Sequence, residues 1–415
     1  MKWEWFIAKR LRLKGGVAKG APSLSIAVAG IVLSVVVMIL SIAIVIGFKN
    51  EITGKIYNLD AHIKVSDAYV IDNDEPYNSV NRGTLSQIIL ADTSFAAKVR
   101  DMALVAEKSA VLKTDSDFKG IVVRGVDDGY DWSYLESHLT AGRVPQAGVE
   151  QEVLISKMVA NELGLKVGDK VYAYFIDEKV KVRRPVVAGI FSTDFDTFDD
   201  NVLMCNIGLV QGVNGWNRDT GNYMAINLRN VDNVDDAALD LYAVLTTAVY
   251  KQDLPMMYNV DDTHNYNSSL FSWLGMLDMN VVIILTLMMI VAMFTLIAAM
   301  LMIILERIRF IGVIKAQGAT NASVRRIFML LTGKLILTAL IIGNALGLGM
   351  ALVQQRFHVV KLDPEAYYMP WVPISINLTA IVALNIMVII VAYLSLIGPS
   401  HIISGIKPTT TLRYE

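Results

Sequence analysis

Cysteine occurs once in the 415 residues, at Cys205, so no intrachain disulfide can form. Histidine is nearly as scarce. His62, His138, His264, His358 and His401 lie far apart, and none has a partner at zinc-ligand spacing. Surface or interfacial positions are expected for them, and no metal site. The sequence has no G-x-x-x-x-G-K-[ST], no G-x-S-x-G and no H-E-x-x-H. No P-loop, nucleophile elbow or zinc-protease helix is expected, so the chain reads as no enzyme by itself and as holding no cofactor. Charge is also thin: 18% of residues are charged, against about 25% in soluble chains.

The missing charge is local. Leu24–Phe48, Val281–Leu305, Leu335–Val353 and Val372–Ile397 contain no Asp, Glu, Lys or Arg. Twenty-five residues of helix span roughly 37 Å, and the apolar core of a bilayer is about 30 Å thick. Four transmembrane helices are therefore expected, at 24–48, 281–305, 335–353 and 372–397. The first run is too long for a signal peptide, and no A-x-A site follows it. Proton-coupled carriers and ion channels usually place ionisable groups inside the membrane, and these spans have none, histidine included. A permease driven from outside the bilayer, or a receptor, fits better.

Lysine and arginine set the orientation. The 1–23 tail, the 306–334 loop and the 398–415 tail together hold 14 Lys/Arg against Glu4, Glu306 and Glu415. These segments are expected in the cytoplasm of a bacterial inner-membrane protein. The acidic 49–279 segment and the balanced 354–371 loop are expected in the periplasm. Trp3, Trp5, Phe6, Ile7 and Leu11 interleave with Lys9, Arg10, Arg12 and Lys14, the pattern of an amphipathic helix on the inner leaflet rather than of a nucleic-acid-binding segment. Span one carries Ser23, Ala27, Gly30, Ser34 and Ser41 on one face, and span three carries Ala339, Gly343, Gly347 and Ala351. Small faces let helices approach closely in lipid, either within the chain or at a dimer seam.

The fold class expected is an integral membrane α-helical protein with a large α+β domain inserted between helices one and two. Within 49–279, Ser94–Met102 and Ser156–Leu163 read as helices, the latter ended by Gly164, and Val234–Val249 as an amphipathic helix. Leu104–Leu112 and Gly120–Val126 read as strands. Lys170–Ile176 and Val180–Ile190 read as a hairpin around Asp177-Glu178. The acidic run Asp194, Asp196, Asp199, Asp200 lacks the glycine and distal glutamate of an EF-hand and reads as a solvated loop or a calcium site; Asp72, Asp74 and Glu75 pose the same choice.

Residues 306–334 read ERIRFIGVIKAQGATNASVRRIFMLLTGK. Ile308, Ile311 and Ile314 recur every three residues, Gly318 stops that helix, and Asn321 or Ser323 can cap the next. The short helix suits docking into a groove on a soluble partner, or resting on lipid headgroups.

These segments resemble the LolC/LolE permeases of the lipoprotein-releasing ABC transporter, within the wider FtsX/MacB group. The strings are FIAKR and GFKNEI (47–52), NLDAHIKV (58–65), GIVVRGVD (120–127), QEVLISKMVANELGLKVGDKV (151–171), VVAGIFSTDFDTFDDNVL (186–203), ERIRFIGVIKAQGAT (306–320) with VRRIF (324–328), LDPEAYYMPWVPI (362–374) and the ending PTTTLRYE. The resemblance implies a permease subunit that extracts lipoproteins and releases them toward a periplasmic carrier of the LolA type. It implies a partner ATPase dimer of the LolD type, which binds ATP and magnesium, and a second permease, either the same chain or a paralogue. It places Glu306, Arg307, Ile311, Lys315, Gly318 and Ala319 in the ATPase-coupling segment. It places Ile42, Ile46, Phe48, Trp273, Leu274 and Met276 at a cavity for the cargo's acyl chains. LolC-type members carry a longer hooked hairpin; here Ile176–Pro185 is short, leaving Arg183 and Arg184 as a carrier-docking edge, or the task to the paired subunit. Two other functions share the pattern: a MacB-like exporter of periplasmic substrates, whose ATPase is fused to its permease, and an FtsX-like regulator of cell-wall hydrolases, whose outer domain is much smaller.

Overall fold

The computed structural model describes residues 4–7, 22–68, 80–115, 117–177, 179–254, 256–363 and 367–405. The basic N-terminal residues through Lys19, the Asp72, Asp74 and Glu75 cluster, Glu178 and the PTTTLRYE ending lie outside them. The chain forms two compact units. One comprises 1–51, 273–361 and 371–415; the other comprises 52–272 and 362–370.

The first unit is helical. Among the described residues, four helices are long and apolar enough to cross a membrane, within Ser25–Leu59, Ser268–Glu306, Asn321–Phe357 and Leu378–His401. The first helix, Pro22–Leu59, has 38 residues and is about 57 Å long, well beyond a bilayer core. The fourth begins late in its apolar run. Ser375 gives its N–H to Ala43 O, Pro373 has none to give, and Asn377 caps Ala380, so helix starts at Leu378.

The small faces are spent inside the chain. A Cβ on Gly343 would meet Val35 at 2.9 Å, one on Gly347 would meet Ile39 at 3.2 Å, and one on Gly30 would meet Thr295 at 3.2 Å. The spans also hold a polar pair. Asn344 Nδ2 donates to Asn385 Oδ1 at 2.7 Å, and Asn385 Nδ2 donates back to Asn344 Oδ1 at 2.9 Å. Each amide spends its second N–H on a carbonyl one turn back, Leu340 O or Ile381 O. The pair is saturated, as amides in an apolar interior must be.

The second unit is built on a mixed sheet of eleven strands. They are β1 (Ile63–Asp67), β3 (Val99–Lys113), β4 (Phe118–Val126), β5 (Leu139–Gly142), β6 (Glu152–Ser156), β7 (Tyr172–Phe175), β8 (Lys181–Arg183), β9 (Val186–Phe191), β10 (Val202–Asn206), β12 (Tyr223–Leu228) and β13 (Tyr258–Asp262). Their order is β13-β1-β12-β3-β4-β10-β6-β9-β5, with β7 and β8 attached beside β3. β2 (Val80–Asn81) and β11 (Thr220–Gly221) form a separate pair. The pairs β4–β10 and β6–β9 are parallel.

β6 and β10 are among the strands that run directly into helices. Ser156 caps Lys157–Leu163, which ends at left-handed Gly164, and Asn206 caps Ile207–Asn214, which ends at Gly215. The second helix lies so close on β4 that a Cβ at Gly125 would meet Ile207 Cα at 2.8 Å. The Val234–Tyr250 helix matches the amphipathic reading and buries Ala237, Ala238, Leu241 and Leu245. One expectation fails, and the hairpin around Asp177-Glu178 holds with a shorter second strand. Ser94–Met102 is helical only over Thr93–Ala96, because Met102 pairs with Ile226 in the sheet. The run Val180–Ile190 splits at Arg184-Pro185: β8 pairs with β7, and β9 leaves to pair with β6.

A charged hub sits where the first helix enters this unit. Arg124 of β4 bonds Glu107 Oε1 at 2.5 Å and Leu59 O at 3.3 Å. Tyr223 donates to the same Glu107 oxygen at 2.8 Å. Burial opposes the Glu107 charge, but Arg124, Lys64 and the Tyr223 hydroxyl outweigh it and hold the carboxyl below its ordinary value.

Candidate functional site

The segment implied to couple to an ATPase forms the helix Ile308–Ala316, directly after the helix ending at Glu306. Gly318, with φ of +93°, closes it at low steric cost. The next helix is capped by Thr320, whose Oγ1 accepts from Ser323 N, and not by Asn321 or Ser323. The isoleucine stripe turns inward. Ile311 is wholly buried and Ile314 nearly so, in one core with Val324 and Phe328. Ile311 therefore cannot enter a partner's groove. Glu306 and Gly318 are exposed; Arg307, Lys315 and Ala319 are half-buried. The free face carries Arg309, Val313 and Gln317, four residues apart. The N-terminal turn packs here too. Ile7 lies against the same core, and Glu4 sits 3.8 Å from Arg326. A hydrogen bond from Ser323 holds the Glu4 carboxyl below its ordinary value.

Of the six residues implied to line an acyl cavity, two meet directly. Phe48 and Trp273 stand edge to face with ring centroids 5.8 Å apart, and one residue on, Lys49 bonds Asp278 at 2.8 Å. Met276 is exposed, and Ile42 and Ile46 are half-buried. Leu274 is buried at 2% exposure, so it packs inward rather than facing an open cavity.

The second unit holds a site the sequence did not announce. Lys55 lies on the buried stripe Ile52, Lys55, Ile56, Leu59 and is 7% exposed. Its Nζ donates to Thr193 O at 2.8 Å, Asp194 O at 3.1 Å and Tyr368 O at 2.8 Å. Two of the residues whose carbonyls accept these bonds adopt left-handed backbone, Asp194 at φ 52° and Tyr368 at φ 60°. Such strain costs on the order of 1 kcal/mol each and persists only where surroundings impose it. The rings of Phe195 and Tyr368 add a contact at 5.5 Å. The acidic run around this cage is not a solvated loop: Asp194, Asp196 and Asp200 are half-buried and Asp199 is buried. Asp199 accepts from Thr193 N at 2.9 Å and Thr193 Oγ1 at 2.6 Å; Asp200 bonds Lys119 at 2.6 Å. Burial pushes the Asp199 carboxyl up to about 6, against those two bonds.

The carrier-docking edge is partly tied down. Arg183 donates to Gly212 O at 3.0 Å, and Arg184 lies over the Tyr172 ring at 4.8 Å. His62 departs from the expected surface position. It is 2% exposed, Leu228 N donates to its Nδ1 at 2.8 Å, and its Nε2 donates to Tyr57 O at 3.2 Å. Asp235, Asp262 and His264 bring one ligand atom each within 4.8 Å of one another. All three already have protein partners: His264 bonds Asp235 and Tyr57, and Asp262 holds Asn265.

Residues 24–243 match the MacB-like periplasmic core domain, and residues 282–407 match the FtsX-like permease C-terminal domain. The lipoprotein-releasing system transmembrane protein LolC of Xylella fastidiosa strain 9a5c is 25% identical over 94% of this chain and 93% of its own length. LolC of Neisseria meningitidis serogroup B is 21% identical over 94% of each. The periplasmic region of MacB from Actinobacillus actinomycetemcomitans aligns with 52% of this chain and 94% of its own, at 12% identity and a TM-score of 0.35. Four membrane-crossing helices with an inserted domain of this family define the class, an ABC transporter permease with a periplasmic domain. The chain belongs to the MacB-like periplasmic core family and is a permease of the LolC/LolE type. That membership implies an ATPase partner and another permease subunit.

Proposed function

We propose that this chain extracts lipoproteins from the outer leaflet of the bacterial inner membrane and releases them toward a periplasmic carrier. A separate cytoplasmic ATPase dimer, binding ATP and magnesium, drives the step. The observation that supports this reading is the likeness, over 94% of the chain, to proteins named for lipoprotein release. Both tails and the 306–334 loop face the cytoplasm in this reading. The Ile308–Ala316 helix then meets the ATPase through Arg309, Val313 and Gln317, while Ile311 and Ile314 carry the thrust into the helical core. Phe48, Trp273 and Met276 offer apolar surface to the cargo's acyl chains beside the first and second long helices. Carrier docking falls to the Arg183–Arg184 edge or to the paired permease, which is a second copy or a paralogue.

Depleting the chain in its own cells tests the proposal. Acylated lipoproteins should accumulate in the inner-membrane fraction within a few generations. An unchanged distribution contradicts it. Filamentation with normal lipoprotein sorting would point instead to wall-hydrolase control.

A further inference from the structure

The helical unit contains a cavity of about 500 Å³. Leu40 and Ile44 of the Pro22–Leu59 helix form one wall. Leu346, Gly349 and Met350 of the Asn321–Phe357 helix form the other, and Val360 with its neighbours closes the end. The volume falls in the range of pockets that hold drug-sized ligands, about 300–1,000 Å³. Gly349 creates part of the hollow, since a Cβ there would meet nothing within 4 Å. The helix thus uses Gly343 and Gly347 to touch its neighbour, and Gly349, on another face, to leave room.

Gln354 is the one polar side chain in the lining, and it is fully engaged. Its Nε2 donates to Val360 O at 3.1 Å and Val372 O at 3.0 Å, and its Oε1 accepts from Val360 N at 2.8 Å. Val372 N donates to Val360 O at 3.1 Å. The polar groups of the closing segment are thereby consumed, and the cavity offers an occupant almost nothing but hydrocarbon. Water needs two to four polar partners to occupy such a site and does not find them here.

The rim is different. Arg356 stands in the last turn of its helix, and Lys361 follows the lining residue Val360. Both are exposed, and neither makes an ion pair among the described residues. Trp371 lies beside them in the fold, 41% exposed and stacked on His358 at 4.2 Å between centroids. Cations and an indole at the end of an apolar span are what the membrane–water interface selects.

We infer that this cavity binds one anionic phospholipid, with an acyl chain between the Pro22–Leu59 and Asn321–Phe357 helices and its phosphate at Arg356 and Lys361. The cations decide the occupant. A lipoprotein's acylated cysteine carries no phosphate, so a cargo anchor would leave both charges without a partner, whereas a phospholipid satisfies them and the hydrocarbon wall together. The site is separate from the Phe48–Trp273 surface and does not rest on the proposed transport activity. A bound lipid would fix the spacing of the two helices where the cavity separates them.

The test uses the full chain in nanodiscs containing phosphatidylglycerol with a photoreactive diazirine on one acyl chain. Irradiation followed by peptide mass spectrometry should place the label mainly on the stretch 344–360. Gly349→Leu, which fills the hollow, should reduce that labelling at least fivefold and leave labelling of the Ser268–Glu306 helix unchanged. Arg356→Gln with Lys361→Gln alters exposed side chains only. It should keep acyl labelling but abolish the preference for phosphatidylglycerol over phosphatidylcholine in competition. Labelling spread evenly over all four helices, as from annular lipid only, overturns the inference. So does a charge variant that retains the headgroup preference, even if Gly349→Leu fails to fold.

Discussion

The ammonium of Lys55 and the carbonyl of Tyr368 are 313 residues apart in sequence and 2.8 Å apart in the fold. The contact fastens the 362–370 segment to the base of the long first helix, and the same ammonium holds the carbonyls of Thr193 and Asp194. Three stretches of chain therefore share one buried cation. Hydrogen bonds to charged groups contribute about 1.5–3 kcal/mol each, and loss of the donor strands buried acceptors. Lys55→Met should release both loops. Amide exchange in 192–196 and 367–370 should quicken at least tenfold, while exchange in β3 and β4 stays unchanged. Equal protection in the variant would mean the cage holds nothing in place.

The reciprocal amides of Asn344 and Asn385 give a second prediction. Replacing one by Leu leaves the other amide in an apolar interior with two of its three bonds unmade. Either single variant should lose about 1–2 kcal/mol. The double Leu variant, which removes both polar groups, should lose less than the two singles combined. Unfolding of the full chain in mild detergent measures the cycle, and strict additivity would show that the pair is not coupled.

Two buried titrating groups act with opposite sign. His62 is pushed down to about 4, first by burial and then by the charge of Arg100, from an ordinary value of 6.5. The unfolded chain takes up this proton first, so the His62 contribution is present above pH 6.5 and is lost as pH falls toward 4. At 1.36 kcal/mol per pH unit its size is about 3 kcal/mol. Asp199, raised to about 6 from 3.8, behaves in reverse: its buried charge costs stability above pH 6, and the cost fades as pH falls toward 3.8. Between pH 4 and 6 the two largely offset one another. Asp199→Asn should therefore raise the melting temperature at pH 7.5 and steepen its fall on acidification. His62→Gln should flatten that fall. Parallel pH profiles for wild type and both variants would contradict the assignment.

The short helix after Glu306 separates packing from docking. Ile311→Asp buries a charge against Val324 and Phe328 and should cost more than 3 kcal/mol, seen as loss of the folded protein. Arg309→Glu with Val313→Asp changes only the free face. That variant should melt within about 2 °C of wild type, as surface substitutions do, and yet lose most of its co-purifying ATPase. Full retention of the ATPase would move the docking surface elsewhere.

The membrane part was legible because hydrocarbon imposes a length and forbids charge, which leaves runs such as Leu24–Phe48 plain in the sequence. The domain was legible where local signals agree, as at Ser156 and Gly164, which cap and close one helix. Legibility ended where distant partners decide. Met102 follows a helical pattern yet joins the sheet because β12 supplies a partner strand. Ile311 marks an apolar face, but only the core shows that the face is already filled. Lys55 left one trace, a cation on the stripe Ile52, Ile56, Leu59, and the carbonyls that explain it lie far along the chain.

The most direct measurement is mass spectrometry of what co-purifies with the chain from its native membranes in mild detergent without nucleotide. The account predicts a cytoplasmic ABC ATPase, acylated lipoproteins in near-stoichiometric amount, and either one permease sequence or two. An ATPase accompanied by a periplasmic adaptor or a wall hydrolase, with no lipoprotein, would contradict it.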